Sequence, residues 1–168
     1  RKISYAELLD DVARFAGALA ANGVARGDRV IVYMPMIPEA IVAVLACARL
    51  GAVHSVVFGG FAPNELATRI DDATPKAIVS ASCGIEPNRI IPYKPLLDRA
   101  IDLAGHKPDT CIILKRPHEK ASLTADRDID WKDGVSAAAR HNCVTVGATD
   151  VLDDVTSFSS RGPVTIDG

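Results

Sequence analysis

The chain has 168 residues, of which 48% are hydrophobic, 24% charged and 5% aromatic, a composition that fits one globular domain of the usual size of about 100–200 residues. Nineteen Lys and Arg against 21 Asp and Glu leave a formal net charge of −2, so no basic excess points to nucleic acid or an anionic membrane. The longest strongly apolar run, Ile41 to Ala48 between Glu39 and Arg49, is far short of the roughly 20 residues of a membrane span.

A chain of this length buries roughly 70% of its unfolded surface and needs no disulfide or metal to hold a core. Cys47, Cys83, Cys111 and Cys143 are spaced 36, 28 and 32 residues apart, with no C-x-x-C pair. They read as reduced core thiols rather than as disulfides or zinc ligands. His54, His106, His118 and His141 are equally scattered, none at an i, i+4 metal-ligand spacing. The start, Arg1-Lys2-Ile3-Ser4-Tyr5, has neither an initiator Met nor an apolar h-region. The expectation is a chain beginning inside a longer gene product, without a signal peptide, in the cytoplasm or, in a eukaryote, the mitochondrial matrix.

Ser4-Tyr5-Ala6-Glu7 is a capping box. Tyr5, Leu8, Leu9, Val12, Phe15, Ala16 and Leu19 follow at helical spacing, and Asn22-Gly23 stops the helix. Arg26-Gly27-Asp28 reads as a turn rather than an adhesion signal. Arg29 to Met34 is a β-rich run closed by Pro35, and Pro38 opens a helix at its first position. Residues 39–50 are apolar nearly all round, which predicts a helix buried on every side. Val53–Phe58 is a second strand, Pro63–Ala73 a third helix and Ala77–Ala81 a third strand. After a Pro-punctuated loop, Leu96–Ala104 is helical and Thr110–Leu114 a fourth strand.

Alternating helices and short apolar strands predict an α/β fold, with a parallel sheet flanked by helices on both faces. Ligands of such sheets bind in the loops after the strands' carboxyl ends, so Gly59-Gly60-Phe61 is the first place to look for a site. On spacing alone the glycine pair is better read as a tight turn than as a cradle for a ligand at bare amides. Arg89, alone, reads as a surface charge. Residues 115–142 are charged and loop-rich. Within them, Asp126-Arg127-Asp128-Ile129-Asp130 fails as a calcium loop, since Trp131 and Ala137 stand where Gly and Glu are required; a solvated acidic loop is the expectation. No Walker A, G-x-G-x-x-G, H-E-x-x-H or G-x-S-x-G motif occurs.

Ser4-Tyr5-Ala6-Glu7-Leu8, Gly27-Asp28-Arg29-Val30, Tyr33-Met34-Pro35-Met36-Ile37-Pro38-Glu39 and the run Leu45 to Ser55 together resemble AMP-forming acyl-CoA synthetases. Val57-Phe58-Gly59-Gly60-Phe61-Ala62 is similar to the acetate/propionate branch. Gly84-Ile85-Glu86-Pro87-Asn88-Arg89, His106-Lys107-Pro108-Asp109 and Arg127-Asp128-Ile129-Asp130-Trp131 most resemble its propionyl-CoA synthetases. The resemblance covers residues 1–143 and implies part of the N-terminal domain of the adenylate-forming enzyme fold. That family joins a carboxylate to CoA through an acyl-adenylate, turning magnesium-bound ATP (Mg-ATP) into AMP and pyrophosphate.

By the same resemblance, Phe58, Gly59 and Gly60 match the loop against which the CoA adenine packs. Arg89 matches an arginine that meets the CoA phosphates, and Ile91 lies in the same patch. A guanidinium beside close-approach glycines suits that role. The acetate branch has a second arginine where this chain has Glu86, which removes one phosphate contact. The resemblance implies no catalytic residue and no metal ligand in this stretch. CoA and ATP are substrates of the parent family, and no tightly bound cofactor is expected.

After Cys143 the family continues to a T-S-G-[ST]-[ST]-G-x-P-K-G loop around the ATP phosphates, whereas here Val144 to Asp150 leads into Asp153-Asp154-Val155-Thr156-Ser157-Phe158-Ser159-Ser160-Arg161-Gly162-Pro163. That segment resembles subtilisin-like serine proteases, but no G-T-S nucleophile motif follows it. The resulting division is an α/β domain over 1–114, a charged loop-rich extension over 115–143, and an irregular tail over 144–168. The tail is either a junction between unrelated genes, the favoured reading, or a decayed phosphate loop. The chain is expected to be inactive alone, to meet small molecules (CoA, an adenine nucleotide) rather than nucleic acid or membrane, and to self-associate through exposed core surface. The alternatives are a non-catalytic CoA-binding module and a protease fragment.

Overall fold

The computed structural model describes residues 2–87 and 89–140; the expectations for His141, Cys143 and the tail lie outside them. Ser4 caps α1 (Tyr5–Ala21) through the reciprocal box: its hydroxyl accepts from the Glu7 amide at 3.2 Å, and Glu7 accepts from the Ser4 amide at 2.7 Å. The Asp28 carboxylate accepts from the Ala25 amide at 2.8 Å and closes the Arg26-Gly27-Asp28 turn into β1 (Arg29–Met34). Then follow α2 (Pro38–Leu50), β2 (Val53–Phe58), α3 (Pro63–Ala73) and β3 (Ala77–Ala81). After these come the hairpin β4 (Cys83–Glu86) and β5 (Arg89–Pro92), α4 (Tyr93–Leu103), β6 (Thr110–Leu114), β7 (Asp128–Asp130) and α5 (Trp131–Arg140).

The five-stranded sheet has the order β2-β1-β3-β6-β7 with every pair parallel, Val32 lying between Val56 and Val79, and Ile78 opposite Cys111. Strand periodicity divides the core in two. Val30, Val32, Val79 and Ile112 meet Phe15, Leu19, Val42 and Trp131 from α1, α2 and α5. Ile31, Tyr33, Ile78 and Ile113 meet Leu66, Ile70, Leu97 and Ile101 from α3 and α4. The α/β fold with a parallel sheet between helices is as expected.

Several local expectations need correction. Helix α2 is not buried all round: Val42, Ala43, Ala46 and Cys47 face the core, but Ile41 and Leu45 are exposed. Strand β2 is a sheet edge, so Val53, Val56 and Phe58 are exposed too. Beside them Ile3, Leu8, Met34, Met36, Ile41 and Val56 help line an apolar pocket of about 510 Å³. Helix α4 starts at Tyr93, not Leu96. Pro95 does not delay it, because the first-turn N–H groups of a helix have no intrahelical partner to lose.

Residues 115–140 are more ordered than a loop-rich reading suggests. β7 extends the sheet, Ile112 pairing with Ile129, and Trp131 at the start of α5 stacks on Phe15 with centroids 3.8 Å apart. Nor is Asp128 solvated. Its carboxylate is fully buried and takes Lys94 Nζ at 2.9 Å, Arg127 Nε at 2.7 Å and the Thr124 amide at 2.7 Å. Burial opposes its ionisation, but the Arg127 and Lys94 partners prevail and hold the carboxyl below its ordinary range. Lys94, itself 3% exposed, also binds Asp98 at 2.5 Å, and Arg127 pairs with Asp98. This network ties α4 to the strand that ends the sheet.

Candidate functional site

The carboxyl ends of β1, β2 and β3 converge with the β4–β5 hairpin on one rim of the sheet. There the Phe58-Gly59-Gly60-Phe61 segment is held from beneath by two tyrosines. Tyr33 occupies a position on β1 that faces the α3/α4 side and is fully buried. Its hydroxyl accepts from the Gly60 amide at 3.2 Å and donates to the Phe61 carbonyl at 3.3 Å, bridging the turn. Gly60 has φ +97°, a left-handed conformation that glycine adopts without strain.

Gly59 is needed for another reason. A Cβ there would lie 2.2 Å from the Tyr93 hydroxyl, and one at Gly84 would lie 2.4 Å from the same oxygen. The Tyr93 hydroxyl is therefore wedged between the Gly-Gly loop and the start of β4, its ring 5.1 Å from that of Tyr33. Burial pushes both phenol groups above their ordinary value, so both stay neutral donors and acceptors at physiological pH. Glycine at 59 thus serves packing beneath the loop, which supports the turn reading of the pair, while Gly60 stands exposed on top.

Of the five residues singled out in the sequence, four gather here. Ile91 Cδ1 lies 3.7 Å from a Cβ position at Gly60. Phe58, 68% exposed, meets Phe61 edge-on at 6.2 Å, and the Arg69 guanidinium sits 5.7 Å over the Phe61 ring. The fifth, Arg89, lies two residues before Ile91 on β5, so both project to the same side of the hairpin. It is a surface charge, its side chain 70% exposed, and it is paired: its Nε donates to Glu86 at 2.8 Å across the closing pair of the hairpin. Tyr93 belongs to none of the motifs read in the sequence, and Tyr33 entered only within the run Tyr33 to Glu39, not as a site residue. The available signal was an aromatic residue within an aliphatic strand run, whose hydroxyl must find a partner once buried.

Chemically, the rim offers an exposed aromatic face, an apolar wall at Ile91, bare backbone and the guanidiniums of Arg69 and Arg89. Those groups suit a flat ring carrying phosphate. They do not include a nucleophile: Cys47 and Cys111 are buried, and burial pushes both thiols up to about 12. Among the described residues no three His, Cys, Asp or Glu side chains gather to hold a metal ion. No described helix is long and apolar enough to cross a membrane.

The family model for AMP-binding enzymes matches residues 1–152. An uncharacterized protein of Pseudomonas aeruginosa is 58% identical over 151 residues, covering 90% of this chain and 24% of its own length. The propionate–CoA ligase of Escherichia coli is 50% identical over 141 residues, covering 84% and 22%. The mitochondrial acyl-CoA synthetase short-chain family member 3 of Rattus norvegicus is 53% identical over 145 residues, covering 86% and 21%. The chain thus spans about a quarter or less of these relatives. With nine-tenths of its length matched by the family model, the chain belongs to the AMP-binding enzyme family.

Proposed function

We propose that this chain is an N-terminal part of a short-chain acyl-CoA synthetase of the acetate/propionate type, closest to propionyl-CoA synthetases. On this reading Phe58, Gly60, Ile91 and Arg89 form part of the surface that receives the adenine nucleotide end of CoA, with Gly59 buried beneath it. The observation that carries it is the gathering of Phe58, Gly60 and Ile91 on one rim, with Arg89 on the same side of the adjoining strand. The adenine would lie against Phe58 and Ile91, and Arg89 would exchange Glu86 for a phosphate. An exposed ion pair is worth roughly 0–1 kcal/mol, so that exchange is weakly opposed.

Adenylation is not expected from this chain alone. Its sequence contains no glycine-rich loop with a lysine for the triphosphate. The family match runs to residue 152 and one acetyl-coenzyme A synthetase is matched over 96% of the chain, both past Val144, which weighs against a gene junction directly after Cys143. Calorimetric titration of the chain with CoA and with adenosine, beside Arg89→Ala, tests the proposal. CoA binding that weakens in Arg89→Ala, with adenosine binding unchanged by the substitution, is the expected result. No CoA binding by the unaltered chain, in a sample that melts cooperatively, would refute it.

A further inference from the structure

We infer that Tyr33 and Tyr93 are positioning residues for the nucleotide rim, a role that rests on the reading of that rim as a CoA adenine site. Neither side chain offers its hydroxyl to solvent as a ligand would need: Tyr33 is fully buried and Tyr93 is 4% exposed. Both act on the Gly59-Gly60 loop. Tyr33 ties the Gly60 amide and the Phe61 carbonyl to one oxygen on β1. Tyr93 fills the space under Gly59 and props it against Gly84 on β4.

The consequence is geometric. Loops after parallel strands are the least constrained part of such folds, and no backbone–backbone hydrogen bond among the described residues is made by Gly59, Gly60 or Phe61 within the turn. The Tyr33 side chain instead ties the turn to β1, the strand between β2 and β3. The same contact fixes where Gly60 stands against Ile91, whose Cδ1 lies 3.7 Å from a Cβ position there, and hence the shape of the surface the two present. A flat ring laid on such a surface gains from its being set beforehand, since ordering a loop on binding subtracts from affinity. The two tyrosines differ in how they act: Tyr33 holds the loop by hydrogen bonds, Tyr93 by occupying space that only glycines leave open.

The 168-residue chain itself supplies the test, by nuclear magnetic resonance and CoA titration of the unaltered protein, Tyr33→Phe and Ile78→Val. Tyr33→Phe keeps the ring and its packing and removes only the bridging oxygen. Ile78→Val loosens the same core cluster from β3, a strand that carries none of the loop residues. In Tyr33→Phe the Gly60 amide is expected to exchange with solvent about tenfold faster without ligand. The CoA dissociation constant is expected to rise about fivefold, the scale of one net hydrogen bond. Ile78→Val is expected to melt lower and bind CoA as the unaltered chain does.

Unchanged Gly60 exchange in Tyr33→Phe would overturn the inference, as would unchanged CoA affinity beside faster exchange. Equal weakening of CoA binding by Ile78→Val would reduce both effects to general destabilisation and overturn it too. If the unaltered chain binds no CoA while its Gly60 amide is protected by Tyr33, the reading of the rim fails and the positioning role falls with it.

Discussion

Asp128→Ala offers the most direct test of how the sheet's last strand is held. In the native chain that carboxylate is fully buried and satisfies Lys94, Arg127 and the Thr124 amide at once. Removing it leaves Lys94 almost wholly buried with Asp98 as its remaining carboxylate, which is itself about one-third exposed. Breaking one side of a buried ion pair costs about 3–5 kcal/mol when the survivor is stranded. Because Asp98 still partners the cation, a value near the lower end, about 3 kcal/mol, is expected. Against a typical domain stability of about 5–15 kcal/mol that is a large fraction. With a urea slope of about 1–3 kcal/mol per molar, the midpoint should fall by roughly 1–3 M.

Fluorescence of Trp131, the one tryptophan of the chain, reports the transition from the right place, three residues beyond Asp128 and stacked on Phe15. The pH dependence has a definite sign. A carboxyl whose folded pKa is depressed contributes stability that is fully present above its unfolded value of about 3.9 and is lost as pH falls through the folded value. The gap between the unaltered chain and Asp128→Ala should therefore hold between neutral pH and about pH 5, begin to narrow near about pH 4 and go on narrowing as pH falls toward the depressed folded value. Substitution of the exposed Asp72 should stay within about 0.5 kcal/mol of the unaltered protein. A loss under about 1 kcal/mol for Asp128→Ala at neutral pH, or a gap that does not narrow at all below about pH 4, would refute the reasoning.

Cys47 and Cys111, buried and with thiols pushed up to about 12, should resist iodoacetamide at pH 8 in the folded chain and react once it is denatured. Peptide mass spectrometry reads both sites, and equal labelling in the two states would contradict their burial. The exposed Ile41, Leu45, Val53 and Val56 on α2 and the β2 edge should drive self-association in light scattering, and Ile41→Glu with Val56→Glu should shift the chain toward monomer. A sharp monomer in the unaltered protein would count against an adhesive edge.

Four of the sheet's five strands and helices α1 to α4 were legible in the sequence because β1, β2, β3 and β6 are short apolar runs rich in β-branched residues, separated by helical stretches and by Gly and Pro. Periodicity says which residues are apolar but not which strand ends up at an edge. For that reason residues 39–50 read as buried all round, although Ile41 and Leu45 have nothing over them among the described residues. The β4–β5 hairpin was hidden by Pro87, Pro92 and Gly84, residues that ordinarily mark loops; its four-residue strands carry too little pattern to outweigh them. Asp128 was misjudged for a different reason. Three aspartates in five residues look solvated, and the lysine that neutralises one of them lies 34 positions earlier, on another helix.

The site was legible to a different depth at each residue. The Gly59-Gly60-Phe61 loop could be placed because ligand loops follow strand ends in a parallel sheet, whereas Ile91 and Arg89, on the antiparallel hairpin, were joined to it only by resemblance to the family. The reason for glycine at 59 could not be read, since it depends on Tyr93, which arrives from the start of α4. Phe58 sits where two demands meet. It shares a strand face with Val56, whose side chain lines the apolar pocket beside α2, yet its own ring turns to Phe61 in the loop. Relatives four to five times longer than their match to this chain have ample polypeptide to cover Ile41, Val53 and Val56. The Phe61 contact keeps Phe58 with the rim rather than with that apolar edge. A ring left open beside a held loop is what a stacking ligand requires, whereas a ring awaiting more chain would need no tyrosine bridge beneath its neighbour.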